Sequence, residues 1–228
     1  MSSFDYIRSN YINLLEEIES LGKNVGREIT LVAVTKSGSD EELLALAHAG
    51  VSDIGENRPG ELQRRGELLM KAGYMPRLHE IGNLQRNKVK LIIGEVDLIH
   101  SLDSLSLAEE IEKQAKKIGR KVRVLVEINS AREEQKGGIM PEEAEDFILK
   151  LKELPHIEVA GLMTMGPVCA DPEDIRPYFR ETKELFDRLN RKRLFTEGIL
   201  SMGMSDSYKV AIEEGATLVR VGRKLFNR

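Results

Sequence analysis

The sequence predicts an α/β fold: a single (β/α)8 barrel of the TIM type spanning 1-228, with an extra helix at its N-terminus. Three observations predict it. Short apolar runs rich in β-branched residues recur eight times, separated by segments with helical character. Strict alternation of strand and helix implies a parallel sheet. The eight units fit into about 200 residues with no Pro/Gly/Ser linker, internal repeat or composition break between them. An open doubly wound sheet is the alternative, because strand count does not itself enforce closure.

Each element has its own local cause. Residues 3–24 form an amphipathic helix, with Phe4, Ile7, Tyr11, Leu14, Leu15, Ile18 and Leu21 at helical spacing. ITLVAVT (29–35) is the first strand. The helix after it is capped by Ser39, carries acids in its first turn and ends at Gly50. VSDIG (51–55) is the second strand, followed by a charged helix through Met70. RLHEIG (77–82) is the third, with a short helix at 84–93. VDLIHSL (96–102) is the fourth, and the helix at 104–118 is closed by Gly119. KVRVLVEIN (121–129) is the fifth, and the next helix opens at Pro141. IEVAGLMTM (157–165) is the sixth, followed by a helix at 173–191. GILSMGM (198–204) and ATLVRVG (216–222) are the seventh and eighth, with a helix from Ser205 to Glu214 between them.

Composition removes several function classes. The chain has 228 residues, and its 34 basic and 38 acidic side chains leave a net charge of −4, so a strongly basic nucleic-acid face is not expected. Aromatics are 5% with no Trp, which argues against base-stacking platforms. The single cysteine, Cys169, supports neither an internal disulfide nor a thiolate zinc site. No basic stretch precedes an apolar run at the N-terminus, and no apolar segment is long enough to span a bilayer. A cytoplasmic protein without nucleic-acid or membrane partners is the expectation. HExxH, EF-hand and GxxxxGK[ST] motifs are absent, which disfavours metal catalysis and a P-loop.

In a barrel the chemistry gathers at the C-terminal strand ends. Alternation places Val32, Val34 and Lys36 on one face of the first strand. If that face is the inner one, the amine enters the top of the bore, partly desolvated and able to attack an aldehyde. A solvated lysine past a strand end is the plain alternative. Leu218, Arg220 and Gly222 share a face of the last strand. Arg220 is there either a donor toward a ligand or half of a buried ion pair. The segments SMGMSDS and VGRK end strands seven and eight, where such barrels often bind phosphate. Gly203 and Gly222 allow close approach of backbone N–H groups, and Ser201 and Ser205 add hydroxyls. Ser205 or Asp206 could equally cap a helix, and His79 could be a satisfied core residue. An amine, a phosphate cup and an arginine at one mouth fit pyridoxal 5′-phosphate. An arginine at the ring nitrogen leaves it unprotonated and the ring a weak electron sink, which points to racemisation or simple carriage rather than transamination.

Several motifs in order, LVAVTK, GEN at 55–57, HEIGNLQRNK, GLMTMG and SMGMSDSYKVAIEEGATLVRVGRKLF, resemble the pyridoxal phosphate homeostasis protein family (YggS/PROSC-like) over about 29–226. The resemblance implies a barrel like the N-terminal domain of alanine racemase, with the cofactor as a Schiff base on Lys36. It implies phosphate contacts at Ser201, Gly222 and Arg223, Arg220 near the pyridine nitrogen, and Asn57 and Met163 lining the cofactor. Arg223 stands where relatives commonly carry a small hydroxyl residue, and Ala131, Ser207 and Asn227 also depart from the family pattern. The resemblance also implies a carrier or regulator of the cofactor pool. The expectation is therefore a homeostasis protein, monomer or weak dimer, passing the cofactor transiently to apo-enzymes and having no firm catalytic residue. The chain stops shortly after the eighth strand, so the second domain that supplies a tyrosine base in racemases is not expected, and Tyr178 and Tyr208 fall within helices. A weak one-domain amino-acid racemase and a Schiff-base aldolase without pyridoxal phosphate are the competing enzyme readings.

Overall fold

The structure is a computed structural model and describes residues 4–133 and 135–227. Its strands are β1 (Thr30–Val34), β2 (Asp53–Glu56), β3 (Arg77–Glu80), β4 (Leu98–Leu102), β5 (Val122–Glu127), β6 (Ile157–Met163), β7 (Ile199–Ser201) and β8 (Leu218–Val221). They lie in sequence order, and each pairs in parallel with the next. β1 also pairs with β8, from Thr30 opposite Leu218 to Ala33 opposite Val221. That pairing closes the sheet and excludes the open arrangement.

Alternation sorts the side chains into two apolar layers. Val32, Leu98, Leu125, Ala160, Met163 and Leu218 fill the bore. Leu31, Ala33, Val219 and Val221 point outward and join the larger core beneath the helices. The ring consists of α1 (Asp5–Asn24), α2 (Asp40–His48), α3 (Pro59–Lys71), α4 (Val89–Ile92), α5 (Leu105–Ile118), α6 (Ala144–Leu151), α7 (Arg176–Arg191), α8 (Tyr208–Glu213) and α9 (Arg223–Phe226). The helix after β8 is a single turn, and α1 takes the space beside it, packing on α2, α8 and α9. Asn10 donates to Leu225 O at 3.2 Å and Asn227 O at 2.8 Å, fastening α1 to the end of the chain. So the extra helix covers the outside of the closing seam.

Several boundaries differ from the sequence expectation. Ser3, the expected first residue of the N-terminal helix, lies outside the described residues. Ser39 caps α2 through a full capping box with Glu42, as its spacing predicts. Helix α6 begins at Ala144, not Pro141, because residues 141–143 form a turn closed by Glu143 N to Met140 O at 2.9 Å. A 3₁₀ turn, Pro172–Ile175, precedes α7, since Pro177 at the start of that helix has no N–H to donate. α9 was not foreseen, being too short for any periodicity.

No helix of the described residues is long and apolar enough to cross a membrane. Gly161 shows how tightly the strands are drawn together. A Cβ on it would sit 1.8 Å from Ile199 O and 2.7 Å from Ile199 C, both backbone atoms of β7. Gly161→Ala must therefore push β6 from β7. We expect a loss of about 3 kcal/mol or more, seen as a fall in Tm of roughly 6–12 °C by circular dichroism. A Tm within about 2 °C of the parent would contradict so close an approach.

Candidate functional site

The C-terminal strand ends open into a cavity of about 1140 Å³. Lys36, Asn57, Ser205, Arg220, Gly222 and Arg223 all lie on its wall. Val32 faces the bore and Val34 the cavity, so alternation carries Lys36 inward as expected. The amine is exposed to the open cavity instead of desolvated, and it makes no hydrogen bond or ion pair among the described residues.

The turn bearing Lys36 is held from behind. Arg65 reaches from α3 and donates to Thr35 O at 2.5 Å and Gly38 O at 2.7 Å, on either side of Lys36. Its guanidinium is buried and ion-paired with Glu56 at 3.1 Å. Thr35 Oγ1 also donates to Glu56. Gly38 lies flat on the Phe226 ring, where a Cβ would come within 2.5 Å of the ring. The position of Arg65 had no signal in the sequence, because a charged residue in a charged helix ordinarily faces water, and the GEN motif did not show that Glu56 would be its partner.

Glu56 stands opposite Glu80 across the β2–β3 ladder. Both carboxyls are buried on the outer face of the barrel. Glu80 Oε1 accepts from Gly82 N at 3.1 Å, while Oε2 has no partner among the described residues. Burial first, and the neighbouring Glu56 carboxylate, push Glu80 up to about 8 against the Gly82 hydrogen bond. Below about pH 4.5 Glu80 is protonated whether the chain is folded or unfolded. Between there and about pH 8 the folded state keeps a proton that the unfolded chain has released, so stability falls as pH rises through this window. Glu80→Gln is expected to flatten that decline by on the order of 3 kcal/mol, read as Tm at pH 5 and pH 8. An equally steep decline in the variant would show that Glu80 is not the group responsible. Glu127, on the cavity wall, is raised to about 7 by burial and by Asp103 against Arg220, and it supplies a smaller slope of the same sign.

Across the cavity, Arg220 is 4% exposed. It donates from Nη1 to Ser201 Oγ at 2.5 Å and from Nη2 to Thr164 O at 3.2 Å. Burial pushes it down to about 10, while Glu127 opposes the shift, so it is cationic at neutral pH. No ion pair holds it among the described residues, and its charge faces the cavity.

Near the ends of β7 and β8, Gly222 N donates to Ser205 Oγ at 3.3 Å. A Cβ on Gly222 would lie 2.9 Å from Val34 O, so this part of the wall is built around a bare backbone. α8 begins only at Tyr208, so Ser205 and Asp206 do not cap it, and Ser207 Oγ instead accepts from Met204 N at 3.2 Å. Arg223 is exposed and ion-paired with Asp206. Asn57 is brought to the wall by Gly82, where a Cβ would lie 2.3 Å from Asn57 O.

Three expected residues stand behind this wall. Met163 packs in the bore, beneath the cavity. Ser201 is wholly buried between Arg220 and His100. Gly203, at φ +94°, lets the chain pass 2.9 Å from Tyr208 Cα, measured from an added Cβ, and its carbonyl accepts from Arg220 N. Tyr208 does reach the cavity, but its hydroxyl donates to Glu17 at 2.6 Å and accepts from Lys224 at 2.8 Å. Burial first and Glu17 second raise its pKa. No cluster of three metal-ligating side chains occurs among the described residues.

The wall fits a phosphorylated aldehyde. Among the described residues it offers an amine without a partner, a buried guanidinium with no ion-pair partner, and a side-chain-free backbone cradle at Gly222 beside Ser205. The chain is 43% identical to a pyridoxal phosphate homeostasis protein of Aquifex aeolicus, over 93% of this chain and 94% of that one. A crystal structure described as that of an unknown protein from Bifidobacterium adolescentis superposes with a TM-score of 0.89 at 34% identity, covering 97% of this chain and 95% of that one. PipY of Synechococcus elongatus, solved with pyridoxal phosphate bound, superposes with a TM-score of 0.84 at 26% identity, covering 97% and 100%. The family described as alanine racemase, N-terminal domain, matches residues 10–227. With that match and those relatives, the chain belongs to the alanine racemase N-terminal domain family, among its pyridoxal phosphate homeostasis proteins.

Proposed function

We propose that this chain binds pyridoxal 5′-phosphate in the cavity, holds it reversibly through Lys36, and acts in the cytoplasm as a carrier and buffer of the cofactor. One observation carries this: the free amine of Lys36, the buried cation of Arg220 and the Ser205–Gly222 cradle share one cavity. The cofactor-bound PipY supports it. When bound, the cofactor supplies an aldehyde that an unprotonated primary amine attacks with loss of water. Lys36 provides that amine on a turn braced by Arg65. Ser205, Gly222 and Arg223 provide donors for the phosphate. Arg220 would be the donor toward the ring nitrogen, and because a guanidinium does not readily give up a proton it would leave that nitrogen unprotonated. Asn57 bounds the ring on one side.

Holding rather than turnover is supported by Tyr208. It is the tyrosine on the cavity wall, and its hydroxyl is occupied by Glu17 and Lys224. A two-base racemase needs a free group on each face of the substrate carbon. Transient contact with apo-enzymes, on a monomer or weak dimer without nucleic-acid partners, completes the proposal. The test is a visible spectrum before and after borohydride, with peptide mapping of the reduced protein. A yellow protein with its adduct on the peptide holding Lys36 is expected. A colourless protein that takes up no pyridoxal phosphate would end this reading, and exchange of an amino acid's α-hydrogen with deuterated solvent would replace it with the one-domain racemase.

A further inference from the structure

Beneath Arg220 the bore holds polar residues that no part of the proposed function uses. Ser201 Oγ lies 3.1 Å from His100 Nδ1. His100 Nε2 lies 3.0 Å from His79 Nδ1. His79 Nε2 lies 2.9 Å from Asp53 Oδ1. Asp53, at the opposite end of the barrel from the cavity, is held by Arg77 at 2.6 Å and 2.7 Å and by Ser52 at 2.8 Å. The three links from Ser201 to Asp53 are buried.

Donor and acceptor arithmetic orients the whole chain. A guanidinium only donates, so Ser201 Oγ accepts from Arg220. Asp53 is held ionised despite burial by hydrogen bonds from His79, Arg77 and Ser52, so it only accepts and His79 Nε2 carries a proton. If His79 is neutral, its Nδ1 is bare and accepts from His100 Nε2–H. His100 Nδ1 is then bare and accepts the Ser201 hydroxyl proton. Every donor has an acceptor. If His79 carried a second proton, the two links through His100 would reverse and His100 Nδ1–H would donate to Ser201 Oγ. The Ser201 proton would then have no acceptor among the described residues, a cost that buried hydroxyls rarely bear.

We propose that His79 and His100 are positioning residues for Arg220: a one-way hydrogen-bond chain, Arg220 to Ser201 to His100 to His79 to Asp53, fixes both imidazoles as Nε2–H tautomers and locks the guanidinium at the cavity. Burial within the bore agrees with a neutral His100, which is held well below its ordinary value. Two of these links join β3 to β4 and β4 to β7 across the bore, so the chain also ties opposite walls of the barrel to the ligand-facing arginine.

The ligand arm of the test rests on the pyridoxal phosphate reading, and the first arm does not. In ¹⁵N-labelled protein without ligand, imidazole spectra at pH 7 should show both His79 and His100 as neutral Nε2–H tautomers with slowly exchanging protons. The Arg220 Nη protons should show hindered rotation that is lost in His100→Phe, which keeps the volume and removes both bonds. An Nδ1–H tautomer or an imidazolium at either histidine would overturn the chain. In the second arm, His100→Phe should weaken pyridoxal phosphate retention about tenfold and shift the absorption maximum. His100→Gln, which can both accept and donate, should stay within about threefold of the parent. Equal retention and spectrum in His100→Phe would remove the positioning role. Parent protein that takes up no pyridoxal phosphate would instead sink the reading of the site, while the imidazole signals still decide the chain.

Discussion

Lys36→Ala is expected to retain pyridoxal phosphate at least on the order of 100-fold more weakly, to be colourless once free ligand is removed by gel filtration, and to give no borohydride-stable adduct. The reason lies in the other amines of the cavity wall. Lys136 is ion-paired with Glu133 at 2.7 Å. Lys209 is paired with Glu17. Lys224 donates to Tyr208 at 2.8 Å and lies 3.9 Å from Glu17. Lys36 has no such partner among the described residues, so its nitrogen is the one free to react. Lys36 is exposed to the open cavity and packs nothing, so the variant should melt with the parent to within about 0.5 kcal/mol. Thermal unfolding alongside the absorption titration separates the two effects. An adduct of undiminished yield on another lysine would refute the assignment.

Arg65→Met is expected to strike both stability and binding. It removes the partner of Glu56, leaving a buried carboxyl unpaired, which costs about 3–5 kcal/mol. For a chain of this length that is a Tm lower by roughly 6–20 °C. It also frees Thr35 O and Gly38 O, so the turn carrying Lys36 loses its brace. Weaker retention of pyridoxal phosphate should accompany the lower Tm, at temperatures where the variant is still folded. Glu56→Gln in the same background should recover part of the stability, because the buried charge is gone, but not the retention, because the brace is still missing. A single variant with parental Tm would show that the Glu56–Arg65 pair contributes nothing net. Recovery of retention by Glu56→Gln would show that the turn does not need Arg65.

Much of the fold was legible in one dimension. Strand identity follows from β-branched apolar runs, and alternation put Val32 with Lys36 and Leu218 with Arg220 on shared faces, which the barrel turns inward. The errors cluster where local pattern is short or competing. A four-residue helix such as α9 has no period to detect. Pro141 permits a helix start without compelling one, and here a turn takes its place. At the site, residues at strand ends were accessible to reasoning because the barrel puts its chemistry there. Ser201 and Met163 lie on strands and Gly203 just past β7, all three behind the cavity wall, since place along the chain does not say how far below the cavity a side chain stands.

The sequence by itself determined which segments are strands, which face each presents, and that an amine, an arginine and two loops rich in small residues gather at one end. Those follow from periods of two and 3.6 and from chain order, which are local properties. Only the tertiary structure decided that the sheet closes, that Arg65 braces the Lys36 turn, that Glu80 sits opposite Glu56, and that two histidines link Arg220 to Asp53. Each of these joins residues from different strands or helices, up to 188 positions apart where Thr30 pairs with Leu218. A buried polar group is satisfied by whichever partner folding brings within hydrogen-bond reach.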